Sequence, residues 1–367
     1  MRTEKTVETK KITGGGVRSS NIGLFRIVSM LVIVAHHYVV NSGLQETIVG
    51  STTPQFKDYF LLLWGWGGKT GINCFVLITG YFMCKSQITA KKFIKLLAEV
   101  EFYNIVIYAV FCLTGYTTFA WGELLNRVIL FKNISDGFTS CFLLFYLCIP
   151  FLNKLIFALT EKEHRLLLAW CLGVYTLIPS LGGWVSFNYI TWFGVVYLVA
   201  AYLRLYPNAW TENGKLCTAA AAGTLLLSWL TVLASVWLTK DSADGLVWPY
   251  GWVCDSNKLI ALLTAVCAFL FFKNLKMGYS KTINTIAASA FGVLCIHANS
   301  DLMRQWLWHD VCNNVGAYQT SHAVLHAIVC VVVIYAVCTV LDALRIHLLE
   351  RPLLRLWDEK AAQKKTQ

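Results

Sequence analysis

The feature that most constrains the fold is an apolar stretch near the start of the chain, residues 21–40, which reads NIGLFRIVSMLVIVAHHYVV. About 20 mostly apolar residues in a helix span the roughly 30 Å hydrocarbon core of a bilayer. The stretch also carries Arg26, His36 and His37, and ionisable side chains at membrane depth are rare and mark functional sites. Arg26 and His37 are about three helical turns apart, roughly 16 Å along one face, whereas His36 is turned ~100° away.

The composition also indicates a membrane protein. Hydrophobic residues make up 57% of the 367 residues and charged residues only 14%, whereas soluble domains are about 25% charged. We therefore predict an all-α, polytopic integral membrane protein with about ten transmembrane helices. The predicted spans are residues 21–40, 60–84, 94–115, 139–158, 166–181, 187–206, 216–238, 258–273, 284–299 and 322–344. The second span is interrupted by Gly65, Gly67 and Gly68, so whether residues 60–68 cross the membrane is left open.

The positive charges predict the orientation. The net charge of +11 is divided among short clusters between apolar segments, which is typical of topology signals and does not indicate a nucleic-acid partner. With the N-terminus in the cytoplasm, the basic connections at 85–95, 154–165, 204–215 and 273–281 and the tail 345–365 all fall on the cytoplasmic side, as cytoplasmic loops should. We predict a disordered basic tail (1–20), one transmembrane domain (21–350) and a basic cytoplasmic tail (351–367).

The polar residues of the first span each have two interpretations. Arg26 is either functional or extends toward lipid headgroups from near a helix end. One of His36 and His37 is either a catalytic base or makes a structural hydrogen bond between helices. Their spacing does not distinguish these roles, nor does it decide between the two histidines.

Two further stretches carry candidate binding residues. Asn73, Thr79 and Tyr81 place polar groups in the second span, where helix packing alone would explain them. Lys92 and Lys95 share one helix face and suit a phosphorylated ligand such as coenzyme A, although cytoplasmic topology explains such clusters equally well. The 13 cysteines show no metal-ligand spacing, and we predict neither a metal site nor disulfides.

Several of these residues belong to longer motifs. One is the Arg26-x10-His37 spacing, and a second is Asn73-Cys-Phe-Val-Leu-Ile-Thr-Gly-Tyr81. A third is Phe291-Gly-Val-Leu-Cys-Ile-His297, followed by Arg304-x-x-Leu-Trp308. A fourth lies within residues 187–204 and ends Tyr-Leu-Val-Ala-Ala-Tyr-Leu-Arg.

Together these motifs resemble acyltransferase family 3, a family of membrane acyltransferases. The second is similar to the family's Phe-x-x-Ser-Gly-Tyr segment, the third to Phe-Gly-Ile-Tyr-Leu-Ile-His, and the fourth to Leu-Gly-Tyr-Tyr-Leu-Arg. The likeness covers nearly the whole chain and fits the ten-span count. Three positions depart from the pattern: Thr79 replaces Ser, Cys295 replaces Tyr, and Lys92-x-x-Lys95 replaces Arg-x-x-Arg, which loses the bidentate phosphate contact of arginine.

The resemblance implies transfer of an acyl group, most often acetyl from acetyl-coenzyme A, to a hydroxyl of a carbohydrate. The sequence is most similar to bacterial enzymes that O-acetylate capsular polysaccharides or exopolysaccharides. This similarity implies a multi-pass enzyme of the plasma membrane that has no bound cofactor. His37 would be the base and Arg26 would orient the donor or stabilise negative charge. Lys92, Lys95, Asn73, Thr79, Tyr81 and His297 would contribute to donor or substrate binding.

Two other functions remain open from the residues. A transporter also has many spans and charges near the midplane, but it often shows inverted repeats with matching broken helices. Only the segment 60–84 is irregular here, which favours the enzyme. A structural subunit of a glycan-assembly complex would leave Arg26 and His37 unexplained. The sequence does not predict the oligomeric state.

Overall fold

The computed structural model describes residues 19–50, 54–129, 137–186, 188–239 and 248–366, and within these ranges it is helical and contains no strand. The disordered tail predicted over residues 1–20 lies almost wholly outside the described residues. The α-helices are α1 (Ser20–Val40), α2 (Leu44–Val49), α3 (Phe56–Trp64), α4 (Gly68–Met83), α5 (Ala90–Leu113), α6 (Trp121–Val128), α7 (Phe138–Ala158), α8 (Glu161–Leu172), α9 (Ile178–Ser180), α10 (Tyr189–Leu205), α11 (Gly214–Thr239), α12 (Leu259–Asn274), α13 (Lys281–Ala288), α14 (Ala290–His297), α15 (Asp301–Arg304), α16 (Asn314–Tyr318), α17 (Ala323–Arg345) and α18 (Arg351–Thr366). Three π-helical segments, Gly173–Leu177, Gln305–Val311 and Ile346–Glu350, join some of them.

The all-helical prediction is confirmed, and a helix occupies each predicted span. By length and composition, six helices or helix pairs within the described ranges can cross a membrane, and a bent pair brings the number to seven. Tyr189–Leu205 and Leu259–Asn274 are shorter apolar helices, and α8 is interrupted by its π-helical continuation. The count of ten and the cytoplasmic position of the termini therefore stay predictions.

The second predicted span is broken where its glycines interrupt it, and the connection predicted over residues 300–321 differs from the expected shape. The second span is two helices, α3 and α4, separated at residues 65–67. Residues 300–321, expected to be an external connection, are largely helical, and the helical stretch Asp301–Tyr318 is bent by 95° against Lys281–His297. The bend directly follows His297, so this side chain lies where one helix ends and the next changes direction.

The basic clusters assemble at one end of the bundle. Asn21 at the start of α1 donates to the carbonyls of Lys273 and Leu275 at the end of α12. Lys91, at the start of α5, forms an ion pair of 2.5 Å with Asp358 in α18. We call this the basic end, and the end carrying Val40 the opposite end. The shared location is what the charge pattern predicts, and the membrane side that it faces stays a prediction.

The apolar core has two parts that meet along α1. One surrounds the second half of α1 together with α14 and α17, and includes Met30, Tyr38 and Trp308. The other joins α4, α7, α10 and α12, and includes Phe145 and Trp192. Because α1 contacts α4, α12, α13, α14 and α17, its polar side chains are held within the bundle.

Candidate active site

The break between α3 and α4 is built for close approach to α1. A Cβ atom on Gly68 would lie 2.2 Å from Cδ2 of His36, and one on Gly67 would lie 2.2 Å from Cγ1 of Val32. Such distances are far below van der Waals contact, so only glycine allows this packing. The glycines that interrupt the second predicted span therefore form the surface that packs against Val32 and His36 of α1.

His36 is held by this break. Its Nδ1 lies 2.6 Å from the carbonyl oxygen of Gly65, and because a carbonyl only accepts, Nδ1 of His36 carries the proton. The contact joins α1 to the end of α3 and accounts for one of the two histidines as a structural hydrogen bond.

The ring of His37 forms a hydrogen bond with His297 of α14. Nδ1 of His37 lies 3.0 Å from Nε2 of His297, and Nδ1 of His297 lies 2.6 Å from the carbonyl oxygen of Val293. The Val293 carbonyl can only accept, so His297 carries its proton on Nδ1 and offers the lone pair of Nε2 when neutral. Nδ1–H of His37 is then the donor to His297, and the lone pair of His37 lies on Nε2.

This order of protons leaves His37 Nε2 as the basic atom of the pair. No hydrogen bond to Nε2 is made by the described part of the chain. A neutral imidazole whose second nitrogen is fixed by a partner is the arrangement that orients a general base. His297, which is 0% exposed, thus determines the tautomer of His37.

Cations and unpaired donors surround the histidine pair. Arg304 lies one helical turn before Trp308, and Lys69 directly follows Gly68, which packs against His36. Lys69 donates a 2.9 Å hydrogen bond to Tyr189. The Trp308 ring lies edge-on, with its centroid 6.4 Å from that of His297. Within the described ranges, Arg304 Nε and Trp308 Nε1 are buried without hydrogen-bond partners; unpaired buried donors mark a place where a ligand oxygen can bind.

A second polar cluster lies toward the basic end. Arg345 forms ion pairs with Glu99 (3.0 Å), Asp342 (2.8 Å) and Glu350 (3.0 Å). Tyr103 donates to Asp342 at 2.8 Å. We call Glu99, Asp342, Arg345 and Glu350 the ion network. The sequence did not predict this network, although Asp342-x-x-Arg345 at the end of an apolar helix is a visible signal.

Comparison with known proteins identifies the chain. A family model described as an acyltransferase domain, that of acyltransferase family 3, matches residues 20–343. The chain belongs to acyltransferase family 3. No curated protein and no solved structure gives a match. The match confirms the resemblance noted from the motifs. The chain is an acyltransferase, and the matched region contains His37 and His297.

Arg26 of this acyltransferase does not share the His37 site. It is half-buried on α1, about three turns or ~16 Å from His37 toward the basic end. If both residues act in one reaction, an extended substrate must reach from one to the other. The catalytic roles assigned to Arg26 and His37 stay predictions.

The motif residues of α4 hold helices together. Asn73, fully buried, donates to the carbonyl of Ser256 at 2.7 Å and accepts from the Trp192 indole at 2.9 Å. The Thr79 hydroxyl donates to the carbonyl of Phe75 in its own helix. The Tyr81 hydroxyl accepts a 3.0 Å hydrogen bond from Arg204. These contacts support packing, and the predicted binding roles of the three residues stay predictions.

The two lysines predicted to bind the donor lie at the basic end of this acyltransferase. Lys92 donates to the Ser86 hydroxyl at 2.9 Å and to the Gln87 carbonyl at 2.7 Å. Lys95 forms a 2.7 Å ion pair with Glu350, which connects it to the ion network. Lys92 has neutral partners only among its described contacts, so it is the better placed of the two to receive an anion.

Proposed function

We propose that this protein transfers an acetyl group from acetyl-coenzyme A to a hydroxyl of a bacterial surface polysaccharide or its lipid-linked precursor, and that it works in the plasma membrane. The observation that carries the proposal is the hydrogen-bond chain from the Val293 carbonyl through His297 to His37. It leaves a neutral, oriented imidazole nitrogen, Nε2 of His37, inside the bundle. The family supports acyl transfer, and the donor and acceptor are part of the proposal.

In the proposed reaction, His37 Nε2 takes the proton of the acceptor hydroxyl as its oxygen attacks the thioester carbonyl. The C–O bond forms, the C–S bond breaks, and the proton passes from His37 to the departing thiolate of coenzyme A. The His297 contact keeps Nδ1 of His37 protonated, so that Nε2 remains the reacting atom.

The negative charge that develops on the carbonyl oxygen needs donors. Arg304 and the Trp308 indole hold unpaired buried N–H groups beside the histidine pair. Donors that are already in place stabilise such a charge strongly where water is excluded. We propose that one or both of them contact this oxygen.

The donor is proposed to enter from the basic end. Lys92 would meet the phosphates of coenzyme A, and Arg26 would contact the donor between that end and His37. Cationic groups at successive depths suit a long donor whose anionic part stays near the surface and whose thioester reaches inward.

The proposal is tested with purified protein in lipid nanodiscs, acetyl-coenzyme A and polysaccharide from a strain lacking the protein. We expect His37→Ala to reduce acetyl transfer by about 10²- to 10⁴-fold, which is the usual contribution of a general base. The matched control is His322→Ala, because His322 is exposed and should be replaceable without effect. Transfer at the normal rate by a folded His37→Ala protein would contradict the assignment of the base.

A further inference from the structure

The side chain of Glu101 has no role in the contacts described so far. It lies on α5, 11 residues from Ala90, or roughly 16 Å along the helix. Both carboxylate oxygens are buried and lack a hydrogen-bond partner within the described ranges. Glu99, two residues earlier, is paired with Arg345 at 3.0 Å. An unpaired carboxylate at this depth is expensive, and it persists where a ligand can supply the missing donors.

An amide pair connects this part of α5 to the active site. Asn104, one turn from Glu101 toward the opposite end, accepts a 3.2 Å hydrogen bond from the Nδ2 group of Asn299. The same Nδ2 group donates to the carbonyl of Cys295. Asn299 follows His297 by two residues, at the bend between α14 and α15. Asn104 and Asn299 therefore link this part of α5 to the bend that follows His297.

The side-chain atoms of Glu101 and Asn299 that lack a hydrogen-bond partner are all acceptors. They are the two carboxylate oxygens of Glu101 and Oδ1 of Asn299, which is also buried without a partner in the described part of the chain. The Nδ2 group of Asn104 donates one of its two hydrogens to the carbonyl of Arg127 at 3.1 Å, and its other hydrogen lies near the Glu101 carboxylate without forming a hydrogen bond to it. A ligand matched to these atoms must donate several hydrogen bonds, as neighbouring hydroxyl groups do and as phosphate or carboxylate groups do not.

We propose that Glu101 and Asn299, with Asn104 holding Asn299 in place, form the subsite that binds hydroxyl groups of the carbohydrate acceptor and positions the reacting hydroxyl toward His37. The inference rests on the proposed function, since it assigns the acceptor of the same reaction. Glu101 and Asn299 bind the acceptor, and Asn104 is a positioning residue. No proton transfer is assigned to the three.

The test compares Glu101→Gln, Asn299→Ala and the control Glu46→Gln, whose carboxylate is exposed on α2. The probes are acetyl-coenzyme A and polysaccharide, stripped of acetyl groups by mild alkali, from a strain lacking the protein. We expect Glu101→Gln and Asn299→Ala to raise the acceptor KM by about ten- to hundredfold, as loss of hydrogen bonds to a ligand does. Acceptor-independent hydrolysis of the thioester should stay at the level of Glu46→Gln, and Glu101→Asp should partly restore the KM.

A structural role would give a different result. Removing an unpaired buried charge should leave the Tm of Glu101→Gln unchanged or raised, whereas a Tm lowered together with equal losses of hydrolysis and transfer would overturn the subsite. An acceptor KM equal to that of Glu46→Gln would overturn it as well, while the wild-type transfer rate would still support the proposed function. Failure of the proposed function would look different from failure of the subsite. In that case the wild-type protein itself would show no acceptor-dependent use of acetyl-coenzyme A.

Discussion

The ion network and the histidine pair are two polar clusters in one apolar bundle, and they differ in how far their hydrogen-bonding groups are satisfied. In the ion network, Arg345 is bound by three carboxylates at 2.8–3.0 Å, and among the buried side-chain atoms of its four described residues Oδ2 of Asp342 alone lacks a hydrogen-bond partner. In the histidine pair, Nε2 of His37 and the neighbouring Nε of Arg304 and Nε1 of Trp308 have no protein partner in the described part of the chain. Polar groups that are satisfied within the chain support the fold, and those left open beside them are available to a substrate.

The largest effect on stability is expected when the cation of the ion network is removed. Arg345→Ala would leave Glu99 and Asp342 as unpaired buried carboxylates, and we expect a loss of about 3–5 kcal/mol in the free energy of unfolding. Denaturant unfolding in detergent measures it, with Arg355→Ala as the control because Arg355 is exposed on α18. A stability equal to that of the control would mean that the ion network does not support the fold.

The next largest effect is expected at the glycine break between α3 and α4, which packs against the helix that carries the histidines. A Cβ on Gly68 would overlap His36, which is held by Gly65 and has little freedom to move. We expect Gly68→Ala to destabilise the protein by about 1–3 kcal/mol through overpacking, and to reduce acetyl transfer because α1 must shift. Gly223→Ala is the matched control, since that helical glycine has open space around it and alanine there should stabilise α11.

Loss of the partner that positions His37 should reduce the transfer rate less than loss of His37 itself. His297→Ala removes the acceptor that fixes the tautomer of His37, and we expect transfer to fall about ten- to hundredfold, as loss of an orienting partner does. The KM for acetyl-coenzyme A should change little, because the ring nitrogens of His297 are bound to His37 and to the Val293 carbonyl. Equal losses in His297→Ala and His37→Ala would instead place His297 directly in the reaction.

The smallest effect is expected at the basic end. Lys92→Ala combined with Lys95→Ala should raise the KM for acetyl-coenzyme A about three- to tenfold, because exposed charge contacts contribute only ~1 kcal/mol. Lys162→Ala, at the start of α8, is the control for a general change in surface charge. An unchanged KM in the double variant would leave topology as the role of the two lysines.

Local features were predictable from the sequence, and contacts between distant residues were not. Apolar length predicted α1, and glycine spacing predicted the interruption at 65–67. The sequence also singled out His37 and His297, but these residues are 260 positions apart, and periodicity carries no information on such pairing. Spacing left open the choice between His36 and His37, and the resemblance to the family named His37; in the structure the Gly65 carbonyl binds His36, and the role of His37 as base stays a prediction.

The ion network shows the same limit. Along one helix, the i, i+4 spacing of Lys95 and Glu99 favours an ion pair between these two residues. In the structure Glu99 instead binds Arg345 of α17, and Lys95 binds Glu350. Contacts between helices replaced the local pair because α5 and the end of α17 meet at the basic end.

The central claim is that His37 carries its proton on Nδ1 and its lone pair on Nε2. Solid-state NMR of protein labelled with ¹⁵N-histidine measures this directly, with the His37 signals assigned by their loss in His37→Ala. We predict a protonated Nδ1 that is coupled through its hydrogen bond to Nε2 of His297, together with an unprotonated Nε2. A proton on Nε2 of neutral His37, or no coupling between the two rings, would contradict the account.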